Sequence, residues 1–479
     1  MSSGSSPSPP PASGPEGPAT RGSAGHAPPA WKSLLALLSL VLSLMIWLGG
    51  LLDSLERPFV GDALSQRQLE LTALAAEAVP EPLRTNLFGS APRAELQREL
   101  ERRSRDGTLP APAALRLELL LLDGKDRAAQ AAALQELERS VDQPRRPLLA
   151  ALRQGQSLRP SQLQPLLAPW QANTMLSQLS CEQLGEASER CPAALSSRRL
   201  LLQWLVVSLL PLPLLLLGVL LLLRLLWQLW RGRLPTAPPL LGPPLDAVEV
   251  TLLIAGGFVL LGEVLLPQLL QGRLAALLAS LSLQGPLEQG VQVLLLYLLL
   301  TVAPLTILTA MLTGRGAPPA GGWLQWHWRP LPSALARAIG TVLMVLPLVA
   351  LSGWLIEHLW RDPGGSNPLL DLVLTSSDPR ALACFAFTAV VLAPLFEELL
   401  FRGVLLPVLA RRWGAAVAVL ASALIFALAH LSLSELAPLF VLGVGLGWLR
   451  WRSGRLGASV LMHALWNALT FLNLLVLAD

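Results

Sequence analysis

The chain has 479 residues, of which 53% are hydrophobic and only 14% are charged. Globular domains average about 25% charged residues, so this composition excludes a single soluble domain. The net charge of +4 does not indicate a nucleic-acid partner, because the basic residues are scattered singly or in pairs without a long run. We therefore expect a multi-pass membrane protein that binds the lipid bilayer and no nucleic acid.

The chain begins with a tail and an anchor. Residues 1–30 are rich in Pro, Ser and Gly, and we expect them to be disordered because they cannot bury enough apolar surface to offset their chain entropy. Residues 31–52 form a transmembrane anchor, since the uncharged stretch from Leu34 to Leu52 is long enough to cross the roughly 30 Å hydrocarbon layer. No small-residue cleavage site follows, so we expect the anchor to be retained.

The acidic residues are concentrated in the next segment: 19 of the 32 fall between Asp53 and Glu189. Short amphipathic segments alternate there with Pro and Gly, which predicts an extracytoplasmic helical domain over residues 53–199. The domain has no histidine and no recognisable catalytic constellation. Its two cysteines, Cys181 and Cys191, either close a small disulfide loop in an oxidising compartment or stay as free buried thiols.

Eight further apolar segments complete the predicted fold, an all-α, multi-pass transmembrane helical bundle of about nine spans with the soluble helical domain inserted after the first. Residues 200–356 hold four of these spans and a Pro-rich linker, 234–245, that cannot be helical throughout. The segments lie at about 200–223, 247–270, 290–313, 333–356, 380–409, 414–430, 436–449 and 458–477.

The basic residues predict the orientation of the bundle. With the N-terminus inside, thirteen Lys and Arg residues fall in inside segments and three in the short outside loops. Positively charged loops stay inside, whereas a long domain is translocated largely regardless of its charge. We therefore expect an integral protein of a bacterial-type plasma membrane, with the N-terminus inside and both the soluble domain and the C-terminus outside.

The sixth span contains three charged residues, Glu397, Glu398 and Arg402, in otherwise apolar sequence. A charge inside a span costs roughly 3 kcal/mol or more, so these groups are candidates for function. On a helix, Glu398 and Arg402 lie four apart in the favourable order for an ion pair, whereas Glu397 points about 100° away and is free to face another group. Other carboxylates in or near spans are expected to be hydrogen-bonded or to reach water: Glu249, Glu263 and Glu357.

Two histidines extend this polar set. His430 ends the seventh span and His463 opens the ninth, where His463 and Asn467 share one helix face at i and i+4. A single intramembrane histidine is more often a packing group than a catalyst. Two histidines together with two glutamates in the same four-helix stretch favour a catalytic interpretation.

The depth of each side chain in the membrane, counted in residues from the inner boundary, indicates whether Glu397, His430 and His463 can lie close together. At 1.5 Å per residue, Glu397 lies roughly 16 Å from the inner boundary, His430 about 21 Å and His463 about 10 Å. A single site therefore requires tilted helices or a water-filled cavity. The pattern Gly443-x-x-x-Gly447 in the eighth span would permit the close approach of two helices.

The three motifs on these spans resemble the CAAX protease and bacteriocin-processing (CPBP, also called Abi) family of intramembrane proteases. They are Glu-Glu-x-x-x-Arg from Glu397 to Arg402, Phe-x-x-x-His from Phe426 to His430, and His-x-x-x-Asn from His463 to Asn467. All three are intact and in order. The resemblance covers the predicted protease core, residues 378–477, about a fifth of the chain.

The resemblance implies an intramembrane endopeptidase. Glu397 is then the base that deprotonates an attacking water, and His430 orients that water or holds Glu397. His463 and Asn467 would donate hydrogen bonds to the developing oxyanion, which stabilises it by about 3 to 4 kcal/mol per donor. Glu398 and Arg402 are supporting residues that tie the helix to its neighbours.

We expect no cofactor, because the sequence has no His-Glu-x-x-His motif and the candidate ligands come from three separate helices. The alternative is one divalent, zinc-like ion on Glu397, His430 and His463. The expected substrate is a membrane-anchored or lipidated polypeptide, with a prenylated Cys-a-a-X tail as one case. The alternative function is a non-catalytic membrane scaffold or bacteriocin-immunity-type binding protein, and the oligomeric state stays open.

Overall fold

The computed structural model describes residues 29–57, 60–106, 113–123, 127–170, 173–185, 191, 197–360 and 365–478. Most of these residues are helical and none of them forms a β-strand, which confirms the predicted all-α fold class. Of the tail that the sequence predicts to be disordered, residues 1–30, positions 1–28 lie outside the described ranges, and Ala30 already begins the first helix.

The first helix, α1 (Ala30–Asp53), leads into a helical domain with its own core. Leu96, Leu117, Leu148 and Met175 from four of its helices are completely buried, which is the apolar face that the amphipathic pattern predicts. The helices are α2 (Val60–Glu77), α3 (Leu83–Phe88), α4 (Pro92–Asp106), α5 (Ala113–Leu122), α6 (Arg127–Ser140), α7 (Arg146–Gln154), α8 (Pro160–Leu167) and α9 (Thr174–Leu184).

Cys181 and Cys191 form a disulfide bond, the first of the two alternatives that the sequence left open. The bond joins the last turn of α9 to the chain that leads back to the bundle. The disulfide therefore restrains the chain where it leaves this domain after α9.

The remaining helices form the membrane bundle. They are α10 (Ser197–Trp230), α11 (Ala247–Ser280), α12 (Pro286–Leu312), α13 (Leu331–Leu359), the short α14 (Pro368–Thr375), α15 (379–413), α16 (415–428), α17 (Leu436–Ser453) and α18 (Leu456–Ala478). The division between α15 and α16 lies at Gly414, whose φ of 78° and ψ of 161° interrupt the helix.

Seven helices among the described residues are long and apolar enough to cross a membrane. One of the seven, Pro379–Leu428, is the 50-residue unit that Gly414 divides into α15 and α16. The short α17 is not in this set, and its last turn carries Arg450 and Arg452. Each of the nine predicted segments thus coincides with a helix of the bundle except for end residues, notably Gly414 and His430, which lie outside α16.

The Pro-rich linker between α10 and α11 is held by arginines through its carbonyl oxygens. Arg411 Nη2 donates to the carbonyl of Leu245 at 2.6 Å, and Arg450 Nη2 donates to that of Leu241 at 2.8 Å. Arg315 Nη1 donates to the carbonyl of Pro244 at 3.1 Å. These arginines, all from segments predicted to be inside, therefore meet at one side of the bundle.

The soluble domain lies next to the C-terminal end of α18. Val476 and Leu477, in the last turn of α18, pack against the domain core. The C-terminal end of the bundle and the soluble domain are therefore on the same side.

Glycines allow the helices around the later spans to approach closely. A Cβ on Gly443 would lie 3.0 Å from Cα and Cβ of Ala423, and one on Gly447 would lie 3.1 Å from Val419. These contacts confirm that the Gly-x-x-x-Gly pattern brings α17 against α16.

Candidate active site

The helix α15 is irregular around its two adjacent glutamates. It contains two π-helical segments, Thr388–Leu392 and Leu399–Leu405, and Glu397 and Glu398 lie between them. A π-helical turn has one extra residue and is frequent at functional sites. Such turns change the direction of side chains relative to a regular helix, so the local geometry is not that of an ideal 3.6-residue repeat.

Glu398 and Arg402 form the predicted ion pair. Arg402 Nη1 donates to Glu398 Oε1 at 2.8 Å, and both side chains are completely buried. A buried charge is strongly destabilising unless it is paired and hydrogen-bonded. The pair explains how two of the three charges exist within the bundle.

Arg402 also connects α15 to two neighbouring helices. Its Nη2 donates to the carbonyl oxygen of Gly443 in α17 at 3.1 Å, and its guanidinium carbon lies 4.3 Å from the ring centroid of Phe426 in α16. A cation over an aromatic face is attracted by the ring quadrupole, more so when water is excluded. Arg402 therefore joins α15, α16 and α17 at one point.

His463 of α18 lies between the two glutamates. Its Nδ1 is 3.1 Å from Glu398 Oε1, and its Nε2 is 3.9 Å from Glu397 Oε2. An ionised carboxylate only accepts hydrogen bonds, so Nδ1 carries a proton when it bonds to Glu398. The ring thereby directs Nε2 toward Glu397, and the two residues meet although their positions along straight helices differ in depth.

Glu397 has a partner that the sequence did not indicate. The hydroxyl of Tyr297, in α12, donates to Glu397 Oε1 at 3.2 Å. The other oxygen, Oε2, is buried and has no hydrogen-bond partner among the described residues. The one available signal was that Tyr297 is the chain's single tyrosine and lies in the middle of an apolar segment.

His430 lies near this cluster without bonding to Glu397. Its Nδ1 is 2.8 Å from the carbonyl oxygen of Phe426, one turn earlier, and the two rings are 4.7 Å apart. Phe426 in turn contacts His463 with ring centroids 5.7 Å apart. Within the described residues, no hydrogen bond or ion pair joins His430 to Glu397, and Phe426 lies between the two histidines.

Asn467 bonds to the backbone of α15. Its Nδ2 donates to the carbonyl oxygen of Ala389 at 2.7 Å. Ala389 belongs to the first π-helical segment, eight residues before Glu397. The structure therefore brings Glu397, Glu398, Arg402 and His463 together and holds Asn467 in a contact between helices.

The other carboxylates in or near spans have the surroundings that the sequence predicted. Glu263 accepts a hydrogen bond from Nε1 of Trp47 at 3.4 Å. Glu249 pairs with Arg315, and Glu357 is exposed near the end of α13. These residues have partners or reach the surface at a helix end.

The alternative metal ligands do not converge. In the ranges that the structure describes, no group of three or more His, Cys, Asp and Glu side chains lies close enough together to hold a metal ion. His430 in particular directs Nδ1 at a backbone carbonyl. The donor set of Glu397, His430 and His463 therefore does not fit a metal in this arrangement.

Comparisons with known families support the resemblance that the three motifs carry. Residues 379–469 match the family model described as type II CAAX prenyl endopeptidase Rce1-like. Residues 61–202 match a second family model, described as a domain of unknown function (DUF8675). Neither a curated protein nor a solved structure matches the chain at a significant level.

Proposed function

Because residues 379–469 resemble an Rce1-like protease family and so support a peptide hydrolase, we propose that the bundle is an intramembrane endopeptidase that uses a glutamate-activated water. The single observation that carries this proposal is the position of Glu397. One of its oxygens is buried without a hydrogen-bond partner and lies 3.9 Å from Nε2 of His463. A carboxylate oxygen in such a setting is available to accept a proton.

The proposed reaction is hydrolysis in two steps. A water gives one proton to Glu397 Oε2 while its oxygen forms a bond to the carbonyl carbon of the peptide, and the carbonyl becomes an oxyanion. The C–N bond then breaks, and the proton held by Glu397 passes to the leaving amine. The products are a carboxylic acid, which keeps the second proton of the water until it ionises in solvent, and an amine, and Glu397 returns to its starting state.

His463 is proposed to stabilise the oxyanion through Nε2. Both ring nitrogens carry protons in the imidazolium form, so His463 can donate from Nδ1 to Glu398 and from Nε2 to the oxyanion. Nδ1 lies 3.1 Å from Glu398 Oε1 and Nε2 lies 3.9 Å from Glu397 Oε2, so a carboxylate oxygen is near each ring nitrogen. A donor aimed where charge develops is among the largest contributions to catalysis.

Glu398 and Arg402 are proposed as supporting residues. Their buried pair holds His463 from one side and joins α15 to α17 through Gly443. His430 and Asn467 are proposed catalytic residues on the strength of the motifs. His430 is proposed to orient the water, and Asn467 to donate to the oxyanion after its bond to Ala389 is exchanged.

We propose that the substrate is a membrane-anchored or lipidated polypeptide. The cluster is built from α12, α15 and α18, and two of its members, Glu398 and Arg402, are completely buried among membrane helices. A site between helices that are long and apolar enough to span a membrane favours chains that already lie in the bilayer. A prenylated tail is the first candidate because of the family description of the matching segment.

We also propose that the soluble domain lies outside a bacterial-type plasma membrane. The disulfide between Cys181 and Cys191 supports an oxidising compartment for this domain. Arg315, Arg411 and Arg450 gather at the linker, and positively charged loops remain inside. On this basis the N-terminus is inside and the C-terminus, next to the soluble domain, is outside.

The experiment uses the full-length protein in liposomes with three peptides: a farnesylated peptide with a Cys-a-a-X end, the same peptide without the lipid, and a single-span peptide. Mass spectrometry detects new termini. The wild type and Glu357→Gln are expected to cleave at the same rate, since Glu357 is exposed near the end of α13. Glu397→Gln is expected to lower the rate by about 10²- to 10⁴-fold.

A chelator added to the wild type separates the metal alternative. We expect the cleavage rate to be unchanged, because the candidate ligands do not converge. Cleavage that stops with chelator and returns with zinc would contradict the metal-free mechanism. Binding of a peptide without cleavage by either the wild type or Glu397→Gln would favour the non-catalytic scaffold or immunity-type protein instead.

A further inference from the structure

We propose that Tyr297 is a positioning residue that holds one oxygen of Glu397 and so leaves the other oxygen to receive the proton from water. The inference rests on the proposed function and adds to it a fourth spanning helix, α12, that carries none of the three motifs. Tyr297 acts through Glu397 and is not itself in contact with the reacting peptide bond.

The two oxygens of Glu397 have different surroundings. Oε1 accepts from the Tyr297 hydroxyl at 3.2 Å. Oε2 is buried, lacks a hydrogen-bond partner among the described residues and lies 3.9 Å from His463 Nε2. A carboxylate that is held by one oxygen cannot rotate freely, so Oε2 stays on the side of His463.

The aromatic ring of Tyr297 is itself held in place. It packs edge-to-face on Phe396, the residue before Glu397, with ring centroids 6.3 Å apart. Phe396 also packs against Phe258 of α11 at 5.9 Å. The hydroxyl is therefore presented by a ring whose orientation is fixed by aromatic neighbours.

Backbone contacts fix the position of α12 on both sides of Tyr297. A Cβ on Gly262 of α11 would lie 2.7 Å from the carbonyl oxygen of Leu300, and one on Gly290 would lie 3.0 Å from Cα of Ala381 in α15. Such approaches are possible only because both positions are glycine. These glycines place the Tyr297 hydroxyl within reach of Glu397.

A purely structural role makes a different prediction. If Tyr297 only satisfies its own buried hydroxyl, its removal changes stability and leaves turnover intact. If it positions Glu397, removal of the hydroxyl lowers kcat while KM and the fold are unchanged. The two roles are therefore separable by kinetics.

The kinetic test compares Tyr297→Phe with the wild type in liposomes on the farnesylated and single-span peptides. We expect kcat to fall by about 10- to 100-fold, the loss of one hydrogen bond to a charged group, with KM unchanged. The matched control is Thr301→Val, which removes a hydroxyl one turn later in α12, where the Thr301 hydroxyl donates to the carbonyl of Leu298 at 2.7 Å. This control is expected to retain the wild-type kcat.

A spectroscopic test needs no activity. Because the chain has a single tyrosine, growth on 3-fluorotyrosine labels Tyr297 alone in the full-length protein. We expect one ¹⁹F resonance that Glu397→Gln displaces, because the Tyr297 hydroxyl donates to the Glu397 carboxylate. Glu357→Gln is expected to leave the resonance in place.

Two results would overturn the proposal: a Tyr297→Phe variant with wild-type kcat, or a ¹⁹F resonance that Glu397→Gln does not move. A wild type that cleaves no probe would instead count against the proposed function. In that case the ¹⁹F resonance alone decides whether Tyr297 holds Glu397, and the two failures stay distinguishable.

Discussion

Nδ1 of His463 and Nη1 of Arg402 share one acceptor, Oε1 of Glu398, at 3.1 and 2.8 Å. Both Glu398 and Arg402 are completely buried, and His463 is nearly so. The guanidinium of Arg402 in α15 and the imidazole of His463 in α18 thus both bond to one oxygen of Glu398. Removal of any one member takes a hydrogen-bond partner away from a buried group, so the cluster is expected to respond as a unit.

Arg402→Met should lower the free energy of unfolding in mixed micelles by about 3–5 kcal/mol, because the buried Glu398 carboxylate loses its arginine and keeps only His463 as a partner. The double variant Glu398→Gln with Arg402→Met should recover part of this loss, since neither charge remains. Unfolding monitored by SDS titration in mixed micelles measures both. A single variant as stable as the wild type would contradict the role of the pair.

Gly443→Ala should destabilise the bundle by about 1–3 kcal/mol, because the added methyl meets Cα and Cβ of Ala423 at 3.0 Å. The displacement of α17 should also weaken the bond from Arg402 to the Gly443 carbonyl. Gly340→Ala is the matched control, since no atom lies within 4 Å of its added methyl. Equal effects on unfolding for the two variants would refute the close contact between α16 and α17.

The soluble domain should become less stable as the pH rises. Burial, and secondarily the nearby Glu70 carboxylate, raises the pKa of Glu118 to about 9 from a value of 4.5. The native state therefore holds the proton more tightly than the unfolded state does. This stabilisation is complete below about pH 4.5 and is lost progressively as the pH rises through about 9.

Glu118→Gln checks this pH dependence. The variant should flatten it and be more protected than the wild type at alkaline pH, because a neutral amide occupies the same buried position. Hydrogen exchange of residues 113–122 in the full-length protein, corrected for the intrinsic rate, measures the protection. A wild type and variant with parallel pH profiles would show that Glu118 is not the responsible group.

Replacement of Cys181 and Cys191 by serine together should destabilise the soluble domain by about 2–3 kcal/mol, since the disulfide closes a small loop. The sequence separation of the two cysteines is 10 residues. Hydrogen exchange of α9 in the full-length protein reports the change. An unaltered exchange pattern would mean that the disulfide does not constrain this end of the domain.

Local sequence relationships in the site were predictable, and contacts between helices were less so. The pair Glu398 and Arg402 follows from i, i+4 geometry, and the structure contains it. The partner of Glu397 could not be predicted, because Tyr297 lies 100 residues earlier on a helix without any of the motifs. No periodicity in one helix specifies which residue of another helix it faces.

The depth of the site side chains along their helices and the directions in which they point could not be predicted from the sequence either. Counting residues along straight helices separates Glu397 and His463, yet their side chains approach to 3.9 Å. Asn467 shares a helix face with His463, but its Nδ2 bonds to the carbonyl of Ala389 in a π-helical segment. Irregular turns release carbonyls and redirect side chains, and an ideal helix does not predict either effect.

The role of Glu397 as the base is tested most directly by the ratio of initial cleavage rates for the wild type and Glu397→Gln, measured in liposomes on the same peptide with Glu357→Gln as control. We expect Glu397→Gln to cleave about 10²- to 10⁴-fold more slowly, with an unfolding curve that matches that of the wild type, and we expect the control to retain full activity. Cleavage by Glu397→Gln at the wild-type rate would contradict the proposal that Glu397 activates the water.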